Sequence, residues 1–179
     1  MLEILSSLNW ETEPFHHFYN ESVFPEDLYD EMLANLPEDS EYYKYNDIYP
    51  KRFLCPMFGF WQDIENMLKG NLRNSRVQLC RDFPGYSIGP HTDGKGEEMT
   101  VLFYLTDKTI KDAGTSVYAP KDPEAIYDSG HHNFEDFDKV KQVEFKRNSC
   151  FGFRRSDNSF HGVEPVNEIR NLIQLSVYR

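Results

Sequence analysis

Hydrophobic positions change their spacing near residue 76 of the chain. Before that point, apolar residues recur at helical intervals in the segments 24–36 and 58–72. Pro25 with acidic residues in the first turn, and Pro37 beyond the last turn, mark the ends of the first predicted helix. After residue 76, β-branched and aromatic residues form short runs separated by Gly, Pro, Asp and Asn, which indicates strands. The predicted strands are residues 77–83, 99–106, 115–119, 142–153, 162–166 and 172–178.

This order of elements predicts a mainly β fold with flanking N-terminal helices, an α+β arrangement. Many short strands with turn residues between them are typical of a sandwich or barrel, and a jelly roll, or double-stranded β-helix, accommodates them best. No repeat, low-complexity segment or linker divides the 179 residues, a length suited to one core. We therefore expect one domain over 1–179, with a helical support region at 1–75 and the jelly-roll core at 76–179.

Composition narrows the range of partners. The formal net charge of -11 and the sequence pI near 4.9 argue against a nucleic-acid partner, because phosphate-binding surfaces cluster Lys and Arg. Cys55, Cys80 and Cys150 are an odd number without a close pair, and residues 1–5 lack the basic start of a secretory leader. No apolar run approaches the roughly 20 residues of a membrane span. We expect a cytoplasmic protein, monomeric or homodimeric, that does not enter a membrane.

The candidate chemistry begins with His91 and Asp93, in the sequence Gly-Pro-His-Thr-Asp-Gly. Two residues apart on a strand, their side chains share one face. His161 follows seventy residues later, in Ser-Phe-His-Gly-Val. Two imidazoles and one carboxylate form a facial triad, which suits non-haem iron(II) with open coordination positions rather than a closed structural zinc site. The alternative interpretation of the first motif is an ordinary strand-edge histidine followed by an Asp93-Gly94 turn.

Several segments taken in order resemble a known family. They are residues 81–93, residues 100–106, the pair Gly114-Thr115, and His161-Gly162-Val163 followed after nine residues by Arg170. Each segment alone is weak evidence for a family. Taken together in this order and spacing, they resemble the pattern of the iron(II)- and 2-oxoglutarate-dependent dioxygenase superfamily, in its prolyl 4-hydroxylase-like branch. The resemblance covers most of the chain.

The resemblance implies an enzyme that oxidatively decarboxylates 2-oxoglutarate to succinate and CO2 and uses dioxygen to hydroxylate an amino-acid residue, prolyl-type, or a small molecule. It assigns His91, Asp93 and His161 to iron(II), with ascorbate as a candidate reductant. Arg170 is expected to meet the remote carboxylate of the co-substrate, since a guanidinium offers two charge-assisted hydrogen bonds. By similarity, Tyr104 donates to the same carboxylate, and Thr100 is a further candidate.

Two positions depart from the family pattern. Asp82 stands where many relatives carry a tyrosine before the Pro-Gly turn, and Leu172 stands where one subgroup carries a serine. Neither departure touches the metal ligands or Arg170, so the reaction class is kept while the secondary contacts to the co-substrate stay open. Asp93 also argues against a halogenase, because halogenases of this family have a small residue in place of the carboxylate.

The sequence says little about the substrate, which is expected to be a small molecule or a peptide. Residues 121–139 combine Pro, Gly, acidic residues and aromatics without clear periodicity, so they are a candidate lid as well as an ordinary long loop. Arginines facing the channel would favour a substrate that bears a carboxylate. The candidate substrate-contacting residues are Arg81, Tyr86, Arg154, Arg155 and Asn158.

Other functions stay open at this point. A cupin-like metal enzyme of another kind, such as a zinc hydrolase, would use the same three ligands but would not need Arg170. A catalytically silent jelly-roll binding module would keep the fold without turnover. The pairs His16-His17 and His131-His132 are interpreted as structural, because adjacent residues on a strand point to opposite faces and do not easily chelate one ion together.

Overall fold

The computed structural model describes residues 9–128 and 130–179, so the prediction about a leader at residues 1–5 lies outside the described residues. Within these two ranges the structure has two α-helices, α1 (Glu26–Ala34) and α2 (Phe60–Lys69), with short 3-10 turns at Asp39–Glu41 and Phe134–Asp136. The strands are β1 (His17–Glu21), β2 (Tyr43–Lys44), β3 (Arg52–Cys55), β4 (Ser75–Asp82), β5 (Ile88–His91), β6 (Glu97–Leu105), β7 (Ser116–Pro120), β8 (Phe137–Gln142), β9 (Ser149–Arg154), β10 (His161–Val163) and β11 (Arg170–Tyr178).

The strands form two antiparallel sheets. The larger has seven strands in the order β1-β9-β6-β11-β4-β3-β2, and the smaller has four in the order β5-β10-β7-β8. One apolar cluster joins α1 and α2 to the larger sheet, through residues such as Tyr29, Trp61 and Ile173. A second cluster combines residues of both sheets, among them Leu172 of β11 and Val117 of β7. The predicted mainly β fold with flanking helices is confirmed.

The first 75 residues contribute more than the predicted helical support. β1 pairs with β9, and β3 pairs with β4, so both extend the larger sheet. These strands have only five and four residues, and they form because a neighbouring strand offers them hydrogen-bonding partners. Strand preference depends on such context more than on local sequence, which is why hydrophobic periodicity did not reveal them.

The predicted strand over 142–153 is in fact two strands that belong to different sheets. β8 ends at Gln142 in the smaller sheet, and β9 begins at Ser149 in the larger one. Between them, Asn148 adopts a positive φ of 51°, and its side chain exchanges hydrogen bonds with the backbone N–H and carbonyl of Phe24. Asparagine tolerates this left-handed conformation better than most residues, so the chain turns here despite its apolar neighbours.

Among the described residues, neither α1 nor α2 has the length and hydropathy that a helix needs to cross a bilayer.

Candidate active site

Three candidate metal ligands converge where the strands β5 and β10 pair. His161 lies directly opposite His91 in the antiparallel register, and the two imidazole rings are 4.3 Å apart between centroids. Asp93 follows β5, with its Oδ1 atom 3.5 Å from Nε2 of His161 and 3.8 Å from Nε2 of His91. One donor atom from each residue lies within 4.8 Å of the other two. The three side chains can therefore share one metal ion.

Hydrogen bonds orient each of these donors. Nδ1 of His91 lies 2.9 Å from the carbonyl of Gly89, and Nδ1 of His161 lies 3.0 Å from the carbonyl of Ser159. Each backbone carbonyl accepts a hydrogen bond from Nδ1–H, and this tautomer leaves the Nε2 lone pair free for a metal. The hydroxyl of Thr100 donates to Oδ2 of Asp93 at 2.6 Å, leaving Oδ1 toward the two imidazoles.

Burial keeps the two histidines neutral. Loss of solvation lowers the pKa of His91 to about 3, with the neighbouring His161 as the next cause. Loss of solvation likewise lowers the pKa of His161 to about 4. Metal ions bind the neutral imidazole, so near pH 7 both residues are in the protonation state that a metal site requires.

These depressed pKa values predict that the metal-free protein loses stability on mild acidification. The unfolded chain takes up protons near the ordinary histidine pKa of about 6.5, whereas the folded chain does not until about pH 4 or below. The contribution of these two histidines to the free energy of unfolding is therefore fully present above about pH 6.5. It is lost progressively as the pH falls toward the lowered pKa values of the folded protein. Between pH 7 and pH 5 we expect the free energy of unfolding to fall by about 2 kcal/mol per histidine, measured by urea unfolding in chelator. A His91→Asn/His161→Asn double variant with the same pH slope would contradict this assignment.

A cavity of about 230 Å³ extends from these three residues to Arg170 at the start of β11. Arg170 is fully buried, and its Nη1 donates to Oδ2 of Asp82 at 2.9 Å. Its Nε and Nη2 have no hydrogen-bond partner among the described residues. We call these two nitrogens the open fork, because together they match the two oxygens of a carboxylate. Burying a guanidinium with two unpaired nitrogens costs free energy of folding unless a ligand accepts hydrogen bonds from them.

Arg52 also faces this cavity, although nothing in the sequence pointed to it. Its Nε and Nη2 donate to Oδ1 and Oδ2 of Asp82 at 2.7 and 2.9 Å. Asp82 is directly paired in register with Arg52 of β3 and with Arg170 of β11, so the three side chains form a row across adjacent strands. The only local sequence signal for Arg52 would have been an alternation of polar and apolar residues along β3. That strand has four residues, which are too few to show such an alternation.

Tyr104 and Thr100, the two further candidates for co-substrate contacts, form hydrogen bonds with other protein groups. Tyr104 is buried and stacks on Phe145 at 4.4 Å, and it does not line the cavity among the described residues. Its hydroxyl donates to Oγ1 of Thr115 at 2.9 Å, and Thr115 is the residue that lines the cavity. Thr100 also lines the cavity, but its hydroxyl donates its hydrogen bond to Asp93.

Two of the candidate substrate residues lie away from the cavity. Since Asp82 faces inward, strand alternation turns Arg81 to the opposite face, where it binds Asp39 at 2.5 Å and Asn171 at 2.7 Å. Arg154 is exposed and lies over the ring of Trp10 at 5.4 Å. Neither arginine lines the cavity among the described residues, so the structure gives no support to a substrate contact from either.

The remaining candidates lie in or beside the cavity. Tyr86 lines it, with the guanidinium of Arg52 4.7 Å from its ring centroid. Arg155 donates to the backbone carbonyl of Asp93 at 3.2 Å and pairs with Asp157. Arg155 and Asn158 line an adjoining cleft, which meets the cavity at Thr92.

The segment 121–139 reaches the mouth of the cavity through His131. The His131 ring packs against His91 at 4.8 Å, and its Nε2 forms a hydrogen bond of 2.9 Å with the hydroxyl of Tyr49. The next residue, His132, donates its backbone N–H to the carbonyl of Pro90 at 2.9 Å. A side chain at Gly89 would place Cβ 2.2 Å from the carbonyl oxygen of His132, so glycine permits this close approach. His131 therefore borders the site without belonging to the group of three donors.

At the level of sequence, no protein-family model matches the chain, and no curated protein is significantly similar to it.

Comparison of structures gives clear matches over nearly the whole chain. A prolyl-4-hydroxylase from Pseudomonas putida has a TM-score of 0.64 at 14% identity, covering 99% of this chain and 96% of that one. A prolyl hydroxylase from Trichoplax adhaerens, in complex with a hypoxia inducible factor peptide fragment, has a TM-score of 0.60 at 13% identity, covering 90% and 83%. HygX from Streptomyces hygroscopicus, with nickel, 2-oxoglutarate and hygromycin B bound, has a TM-score of 0.59 at 11% identity, covering 99% and 85%.

These likenesses establish the fold. The chain has the jelly-roll fold of the 2-oxoglutarate- and iron(II)-dependent oxygenases, in the form found in prolyl hydroxylases. The jelly-roll fold that the sequence motifs implied is confirmed.

Proposed function

We propose that this protein is an iron(II)- and 2-oxoglutarate-dependent dioxygenase that hydroxylates an amino-acid residue, prolyl-type, or a small molecule. The observation that carries the proposal is the open fork of Arg170, which is buried in the same cavity as the donors of His91, Asp93 and His161. A metal site alone fits many reactions. A metal site and an unsatisfied buried carboxylate receptor in one cavity fit a metal-chelating acid with a second, remote carboxylate.

The three candidate ligands fit iron(II) in their chemistry. Two neutral imidazoles and one carboxylate on one side of an ion form the facial set of non-haem iron oxygenases, which leaves the other positions for co-substrate and dioxygen. When bound, iron(II), 2-oxoglutarate and dioxygen supply the oxidising power for C–H hydroxylation, with succinate and CO2 as co-products. HygX, which shares the fold, binds nickel and 2-oxoglutarate, and this supports the assignment.

The roles of the protein groups follow from their positions. Arg170 would bind and orient the remote carboxylate of 2-oxoglutarate, and Thr100 would hold Asp93 in its ligating orientation. Tyr86, Leu54 and Leu102 line the cavity and would limit the access of water to the co-substrate. The substrate would enter past Tyr49 and His131, with the segment 121–139 as its lid and with Arg155 and Asn158 beside its path.

The substrate class is proposed from the same surroundings. The two prolyl hydroxylases that share this fold favour a peptidyl substrate, whereas HygX with bound hygromycin B favours a small molecule. Both kinds of substrate require access to the metal from the mouth of the cavity, where Tyr49 and His131 lie.

Anaerobic titration tests the proposal directly. Protein loaded with iron(II) is titrated with 2-oxoglutarate, and we expect the weak visible charge-transfer band of the iron chelate to appear and saturate at one equivalent. His161→Ala is the control, since loss of one ligand should abolish the band. A folded, iron-loaded protein without a band would exclude the proposed co-substrate and favour another metal chemistry or a catalytically silent binding module.

A further inference from the structure

The row formed by Arg52, Asp82 and Arg170 contains a potential conflict. Asp82 is fully buried, and its Oδ2 already lies 2.9 Å from Nη1 of Arg170. The open fork is on the same guanidinium group. A carboxylate with spare hydrogen-bonding capacity at this position would be a competitor for that fork, because it is already in contact and needs no association step.

Arg52 removes this spare capacity. It engages both oxygens of Asp82, at 2.7 and 2.9 Å, in the two-point geometry that an arginine and a carboxylate prefer. Nη1 of Arg52 also lies 3.4 Å from Oε1 of Gln174, which fixes the guanidinium from the other side. Asp82 is thereby left with a single bond to Arg170.

We propose that Arg52 is a positioning residue for the co-substrate: by occupying Asp82, it prevents that carboxylate from closing on Arg170 and keeps the open fork available to a dicarboxylic 2-oxo acid. This inference rests on the proposed function. It also accounts for the departure at position 82, because a buried aspartate next to Arg170 leaves the open fork available only when a second cation holds that aspartate.

The net charge of Arg52, Asp82 and Arg170 also supports this role for Arg52. Two guanidinium groups and one carboxylate leave one net positive charge, which one carboxylate of the ligand would neutralise. Without Arg52, Asp82 and Arg170 would neutralise each other internally. A buried pair of this kind has little electrostatic attraction left for a further anion.

The test is a set of variants measured by calorimetric binding in nickel-loaded protein, without turnover. Arg52→Met is expected to weaken 2-oxoglutarate binding by about 10- to 100-fold, the range that loss of charge-assisted hydrogen bonds produces. The double variant Arg52→Met/Asp82→Asn removes the competitor as well, and its affinity should recover to within about threefold of the parent protein. Arg73→Met is the matched control, because Arg73 is exposed and does not line this cavity among the described residues, so its affinity should equal that of the parent protein.

The recovery distinguishes positioning from a general structural role. If Arg52 only stabilised the fold, the double variant would bind more weakly than the single one, and this result would overturn the proposal. Unchanged affinity in Arg52→Met would overturn it too. Binding of 2-oxobutanoate, which lacks the remote carboxylate, should be the same in all variants.

Two further measurements keep the outcome interpretable. Thermal unfolding checks that each variant is folded; if Arg52→Met is not, Arg52→Lys and Arg52→Lys/Asp82→Asn replace it, with a smaller loss and the same recovery expected. A parent protein that binds nickel but no 2-oxoglutarate would contradict the proposed function itself, whereas a parent that binds both leaves only the role of Arg52 to be decided by the variants.

Discussion

Replacement of Arg170 by methionine is expected to weaken 2-oxoglutarate binding by about 100-fold or more, since two charge-assisted hydrogen bonds at a buried site are lost together. The fold should survive the change, because Arg52 continues to hold both oxygens of Asp82 and no buried charge is left without a partner. The measurement is calorimetric titration of the nickel-loaded variant with 2-oxoglutarate.

A shorter acid supplies the control for Arg170. Because 2-oxobutanoate has no remote carboxylate, Arg170→Met should bind it as the parent protein does. Equal losses for both acids would mean that the substitution damages the metal end of the cavity. Unchanged 2-oxoglutarate affinity would mean that the open fork serves another ligand.

The second large effect is expected at Asp93. Asp93→Ala removes the single anionic donor of the candidate metal centre, so iron(II) affinity should fall by more than about 100-fold, beyond the range of about 10- to 100-fold seen when only a supporting hydrogen bond is lost. Succinate formation from 2-oxoglutarate should disappear with it. Competition with a chelator of known affinity measures the iron binding.

Thr100→Val is the graded comparison for Asp93. It removes the 2.6 Å hydrogen bond to Oδ2 of Asp93 while keeping the side-chain volume and all three donors. Its iron affinity should lie between those of the parent protein and Asp93→Ala. If Thr100→Val lost as much iron affinity as Asp93→Ala, the Thr100 hydroxyl would do more than orient the Asp93 carboxylate. If Asp93→Ala kept its iron affinity, the metal would have to lie elsewhere.

Local patterns in the sequence were sufficient to predict the class of fold and to select the candidate groups of the site. The change of hydrophobic spacing at residue 76 predicts helices followed by strands, because burial of one face imposes a period of 3.6 or 2 on the residues themselves. His91 and Asp93 could be paired from their short separation, although β5 ends at His91 and Asp93 lies just beyond the strand, where strand geometry no longer fixes the direction of its side chain. The motifs around His161 and Arg170 add a third donor and a cation, and the structure places all four in one cavity.

Tertiary structure alone decided which neighbours these groups have. Arg52 is distant in sequence from Asp82 and Arg170, and the three meet only because β3, β4 and β11 pair side by side in one register. The hydroxyl of Tyr104 goes to Thr115, and Arg81 faces away from the cavity. Such details depend on strand register and on contacts between distant segments, which leave no periodic signal in the sequence. The sequence by itself therefore identified the candidate metal ligands and Arg170, and the pairing of the strands decided which side chains surround Arg170.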